Sequence, residues 1–209
     1  MEQELSKKER RELRRQERQQ VVQSETRKKK FRIWIIWGAV ILVIAAVGYF
    51  AYKYVSKVSN IPDIGEVFPI EGSNHIAEGT KVNYKTNPPS SGDHYGTPAN
   101  WGIYDHEIPD EAVVHNLEHG GIWISYRPDV PEATKEKLRS LAGEYSGKII
   151  LTPRAANDSP IAIVSWGRIH KMGIGPDGSF NADTIYNFIS KYRNRGPENV
   201  PDSMPGKDY

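Results

Sequence analysis

His115 and His119 stand four residues apart in the run Val-His-Asn-Leu-Glu-His-Gly-Gly, and they share a span of 45 residues with His75, His94 and His106, five of the chain's six histidines. On a helix, side chains at i and i+4 share a face with Cβ atoms about 5–6 Å apart, so both imidazoles reach one ion. On a strand the same pair would stand about 13 Å apart, too far for one ion. Pro109, Asp110 and Glu111 in front and Gly120-Gly121 behind are helix start and stop signals, so a short helix over 110–119 running into a strand is expected. The chain has no cysteine. Any metal must therefore be held by imidazole, carboxylate or thioether, a donor set that suits a copper or zinc ion. His94 ends the stiff loop Asn87-Pro-Pro-Ser-Ser-Gly-Asp-His, and His75 lies in a Gly/Ser/Asn loop. The expected metal ligands are His115, His119, His94 and His75. His106, between two acids, reads as a surface residue, and His170 and Met172 as rim and packing residues.

The run is also His-x-x-Glu-His, the signature of inverted zinc peptidases, in which the glutamate is the general base. The predicted helix is short, it stops at once on two glycines, and the domain is small for that architecture. Glu118 is expected to be a solvated carboxylate or a partner to a ring N–H rather than a base. Three functions follow: transition-metal binding, with copper slightly preferred over zinc; a metal-dependent hydrolase of envelope material; and a metal-free envelope-interaction module whose Trp side chains meet the partner, although Trp101, Trp123 and Trp166 read most simply as core or rim packing residues. The first, a non-enzymatic role, is favoured.

The elements that position these residues start with a membrane anchor. Residues 33–52 carry no charged side chain, and twenty helical residues span about 30 Å, the thickness of a bilayer core. Trp34 and Trp37 at one end, with Tyr49, Tyr52 and Tyr54 at the other, suit the two interfaces. Residues 1–32 hold twelve Lys or Arg against six Asp or Glu, whereas residues 55–209 hold fifteen against twenty. The positive-inside rule puts the basic tail in the cytoplasm and the acidic part outside the plasma membrane. The positive region is too long for a cleaved signal peptide, so a single-pass signal anchor is expected. The tail's charges suit anionic lipid at the bilayer surface, not nucleic acid; a membrane or envelope protein is the other partner class. The expected organisation is a basic tail (1–32), a transmembrane helix (33–54), a linker (55–66), an extracytoplasmic His-rich domain (67–195) and a disordered Pro-rich tail (196–209).

Within the domain, strands are expected at 81–85, from 122 to 126, at 148–152 and at 161–166, with helices at 131–142 and 182–192. The C-terminal half thus reads β-α-β-β-α, an α+β sandwich with helices on one face of an antiparallel or mixed sheet.

Asn-Pro-Pro-Ser-Ser-Gly-Asp-His-Tyr at 87–95 and Val-His-Asn-Leu-Glu-His-Gly-Gly at 114–121, with His75, Tyr126-Arg-Pro and Trp166-Gly-Arg, resemble a bacterial, membrane-anchored family known as domain of unknown function 3105. The resemblance spans roughly residues 65–195. It implies that His75, His94, His115 and His119 match the family's histidines. Where the family pattern reads Ser-Gly-Pro-His, this chain has Asp93, a change expected to loosen the loop slightly without removing the ligand.

Overall fold

The computed structural model describes residues 7–209, and the first six residues of the basic tail lie outside them. The chain divides into two units, residues 1–57 and 58–209. The described residues of the first all lie in one helix, α1 (Lys7–Ser59), which carries the charged arm and the apolar run without a break. It is long and apolar enough to cross a membrane, and every side chain from 33 to 52 is exposed. Helical structure continues to Ser59, inside the stretch expected to be a linker.

The second unit is built on a sheet of six strands: β1 (Glu66–Val67), β4 (Gly102–Ile103), β5 (Ile122–Tyr126), β6 (Ile149–Pro153), β7 (Ile161–Ser165) and β8 (Arg168–Met172). Their order is β1-β8-β7-β5-β6-β4. A second, two-stranded sheet pairs β2 (His75–Ile76) with β3 (His94–Tyr95). Three helices complete the unit: α2 (Asp110–Glu118), α3 (Glu132–Gly143) and α4 (Ala182–Tyr192). In the larger sheet β5 and β4 run parallel to β6, whereas β7, β8 and β1 pair antiparallel. The parallel β5–β6 pair needs a crossover, and α3 supplies it.

The α+β class expected from the sequence holds, with one strand more than the β-α-β-β-α reading. β8 follows β7 after a two-residue turn and pairs with it over five residues. The two helices of the C-terminal half, α3 and α4, share one face of the sheet as expected, and α2 covers the other. Ile122, Ile124 and Tyr126 of β5, with Ile149, Leu151, Ile161 and Ile163, pack under α3 and α4 through Leu138, Leu141, Ile185, Phe188 and Ile189. The alternate residues Trp123, Ile150, Val164 and Ile169 pack against Ala112, Val113 and Leu117 of α2. Every residue of β5, β6 and β7 is buried as a result, which is the reason their sequences read as nearly continuous apolar runs.

Residues 81–85 form no strand. Val82 donates its N–H to Glu111 Oε1 at 3.1 Å and Lys85 donates to the Glu71 carboxylate at 2.9 Å. Side-chain carboxylates thus take the backbone donors that a neighbouring strand would have taken. The segment after Gly196, expected to be disordered, lies back on the domain. Lys207 donates to Pro98 O at 2.9 Å and accepts from Asn100 N at 3.0 Å, and Tyr209 Oη donates to Glu78 Oε1 at 2.9 Å. These bonds come from backbone and polar atoms distant in sequence, which the segment's Pro-rich composition does not report.

Arg154, at the end of β6, joins three parts of the α2 face. Its guanidinium pairs in bidentate fashion with Asp110 at 2.9 and 2.8 Å, reaches Asn87 Oδ1 at 2.5 Å and Asn157 Oδ1 at 3.0 Å, and lies 5.8 Å from the Trp123 ring. The start of α2, the Pro-Pro loop and the β6–β7 turn are thereby fixed together. Replacing Arg154 by Leu should cost about 2–3 kcal/mol, because removing one partner strands the others in a desolvated setting. Lys171→Ala, which opens the exposed pair with Asp158, should cost less than about 1 kcal/mol. Urea denaturation of the two variants checks the contrast.

Candidate metal centre

Eight of the nine residues of α2 are buried, Asp110 being the exception, and its two sides do different work. Val113 and Leu117 face the sheet, while Glu111, His115, Glu118 and His119 follow i, i+4, i+7 and i+8 on the opposite side. That polar side meets the loop segment 71–100. Asn116 completes the attachment, accepting from Ala99 N at 2.9 Å and donating to Ala99 O at 2.8 Å. Gly120, at φ +77°, ends the helix in a conformation that L side chains rarely adopt.

The small parallel sheet brings the remaining histidines in. His75 and His94 are register partners, so two residues nineteen apart in sequence stand side by side. Asp93 contributes to this pairing. Its Oδ1 accepts from Asn74 N at 3.0 Å and from Asn74 Nδ2 at 2.9 Å, and its carbonyl accepts from Tyr84 Oη at 2.7 Å. The residue expected to loosen the loop instead ties the His75 segment to the His94 segment.

Ligand atoms of His75, His94, His115 and Glu118 all lie within 4.8 Å of one another, a group able to accept a metal ion. The rings pack closely, with centroids 5.1 Å apart for His75 and His94, 4.9 Å for His75 and His115, and 4.8 Å for His94 and His115. The orientation of His94 and His115 is set by backbone carbonyls, which can only accept. His94 Nδ1 donates to Gly92 O at 2.8 Å and His115 Nδ1 donates to Tyr95 O at 2.6 Å. In the neutral rings both Nε2 atoms then carry bare lone pairs. His94 Nε2 lies 3.0 Å from Glu118 Oε2 but without hydrogen-bond geometry, and it is buried with no hydrogen-bond partner. His75 Nε2 is 3.9 Å from the same oxygen. His94 Nε2 and the Glu118 carboxylate are thus two buried acceptors facing each other, an arrangement that a cation stabilises, whereas His115 Nε2 is met by His119 Nε2 at 3.0 Å.

The centre is closed on one side and open on the other. The His94 side chain is fully buried and that of Glu118 is 7% exposed, whereas His75 is 53% exposed. Burial pushes the pKa of His115 down to about 4, reinforced by the neighbouring histidines, and also lowers that of His119. Both rings are therefore held in the neutral, metal-binding form.

His119, expected as a ligand beside His115, adjoins the group through that residue. The two Nε2 atoms are 3.0 Å apart, and His119 Nε2 also lies 3.1 Å from Glu198 Oε2. Glu118 joins the group in the place where the sequence reading put a solvated or supporting carboxylate. The i, i+3 spacing from His115 was the signal that could have found it. No local pattern points to Glu198. His106 bonds Asp105 and the Tyr209 carbonyl at the surface, and His170 sits on β8; neither joins the group. Trp123, expected as a core or rim packing residue, is buried and donates to Thr152 Oγ1 at 2.9 Å.

The profile of the family described as Protein of unknown function (DUF3105) matches residues 75–204, and the chain belongs to that family. The matched region contains the small parallel sheet, α2 and the whole histidine–glutamate group. No curated protein and no solved structure matches the chain.

The pKa of His115 sets an acid sensitivity. Its folded value lies below the unfolded value of 6.5, so the unfolded chain binds the proton first, and stability present above pH 6.5 is lost as pH falls toward 4. The metal-free protein should show a melting temperature that drops through this window. In His115→Gln the drop should be smaller. An equal drop in both proteins would contradict the assignment.

Proposed function

We propose that this protein is a single-pass membrane protein whose globular unit binds one transition-metal ion outside the plasma membrane, with its N-terminus in the cytoplasm. The ligands are His75, His94, His115 and Glu118, with His119 in contact through His115. The observation that carries this reading is that the carbonyl-oriented His94 Nε2, buried and without a hydrogen-bond partner, faces the Glu118 carboxylate at 3.0 Å within a group of four ligand atoms no more than 4.8 Å apart. The orientation rests on Arg27, Lys28, Lys29, Lys30 and Arg32 flanking the apolar run at its N-terminal end. Copper is slightly preferred over zinc, because an imidazole-rich set without thiolate suits Cu(II), which also heads the affinity order of divalent ions.

Four protein donors suit holding or passing on an ion better than catalysis, since catalytic zinc sites keep a position open for water or substrate. The role is metal handling or assembly of a membrane metalloenzyme. The hydrolase reading keeps one point in its favour, the His-x-x-Glu-His run lying on a helix. Against it, Glu118 is turned toward His94 as a fourth donor.

The test is elemental analysis of the full chain in detergent after exposure to Cu(II) or Zn(II) and removal of excess. Wild type should retain about one ion, and His94→Ala and His115→Ala should each weaken binding by at least about 100-fold, more than the loss of a supporting contact. Equal metal content in wild type and both variants would end the metal reading.

A further inference from the structure

Glu198 lies outside the group of four, yet its carboxylate ends 3.1 Å from His119 Nε2. That nitrogen is 3.0 Å from His115 Nε2, and His115 is a member of the group. The three side chains make a file of donors running inward from solvent. The Glu198 side chain is 52% exposed and that of His119 3%, and His115 is buried to the same degree. Two donors bonded to one ion at about 2 Å in tetrahedral geometry stand about 3.3 Å apart. Each neighbouring pair in the file is therefore at the spacing of two ligands in one coordination sphere.

The backbone holds Glu198 in this place. Asn194 N donates to Gly120 O at 2.8 Å and Glu198 N donates to Glu118 O at 3.1 Å, so segment 194–198 satisfies carbonyls at the end of α2. Gly196 makes this approach possible, because a Cβ there would collide with the Glu118 carbonyl and the Gly120 nitrogen. The carboxylate is thus held against His119 by the same contacts that close the end of the helix carrying His115 and Glu118.

We propose that Glu198 and His119 form a second, transient position for a divalent transition-metal ion, through which the ion passes to His115 and the closed group. The inference rests on the metal-binding reading given above. The transfer is ligand exchange: at each step the ion gains one nitrogen or oxygen donor before releasing another, and its charge and oxidation state do not change. Glu198 meets the hydrated cation first with a negative charge, and His119 then replaces oxygen by nitrogen on the way in. The exposed edge of His75 is the competing route.

Stopped-flow loading of the full chain in detergent with Cu(II) separates the two routes. Quenching of tryptophan fluorescence reports arrival, because the Trp166 ring centroid is 6.2 Å from that of His94. Measurements at high salt screen long-range steering by the lost charge, so that only contact effects persist. Under those conditions Glu198→Gln should slow both loading and chelator-driven removal by about tenfold, in the range that loss of a supporting contact gives, while still reaching one ion per chain. Gly196→Ala, which displaces the carboxylate without removing it, should slow loading in the same way in protein that still melts cooperatively. Wild-type rates for Glu198→Gln at high salt would overturn the proposal. So would a faster removal with unchanged loading, which would make Glu198 a ligand of the final centre. A wild-type protein that neither quenches nor retains copper would instead overturn the metal-binding reading itself.

Discussion

The structure depends on the cost of turning several acceptor groups toward one another inside a protein. His94 and His115 each spend their ring N–H on a main-chain carbonyl, and the nitrogen left over on His94 faces the buried Glu118 carboxylate without a hydrogen bond. Such a set is unfavourable alone and favourable around a cation. The surrounding architecture is what keeps it together. A parallel register puts His75 beside His94, a helix face puts His115 beside Glu118, and the Tyr95 carbonyl of the first element locks the ring of the second.

The sheet supplies the rigid base for this arrangement. Its alternate residues leave α3 and α4 on one face and α2 on the other, so the helix that carries His115 is clamped between a packed apolar surface and the loop segment that carries the other histidines. Arg154, Asn116 and Asp93 are the polar ties across that seam. Each links parts distant in sequence: Arg154 joins β6 to Asp110 and Asn87, Asn116 joins α2 to Ala99, and Asp93 joins the two histidine loops. Precision of this kind in supporting residues is what a metal site requires of its scaffold.

Much of this was legible in the sequence wherever the signal was local. The bounds of α4 agree with the expected 182–192 and those of α2 differ by one residue at its end, because apolar periodicity marks the first and proline, acidic and glycine signals mark the second. The apolar run of α1 is equally plain. What escaped was non-local. The strands β2 and β3 are two residues each and have no periodicity to read, yet their register creates half of the site. Residues 81–85 alternate like a strand but give their N–H groups to Glu111 and Glu71. Glu118 was seen and assigned a lesser place, since only the fold reveals that His94 stands opposite it. Glu198 sits in a Pro-rich segment whose order comes from the end of α2, not from its own composition.

The central claim is that three imidazoles and one carboxylate take one ion into a single sphere. X-ray absorption at the metal edge of the copper- or zinc-loaded full chain tests it most directly. The expected result is about four nitrogen or oxygen ligands near 2.0–2.2 Å, with the outer-shell scattering of three histidine rings. A spectrum without imidazole scattering, or one dominated by water oxygens with a single histidine, would contradict the account.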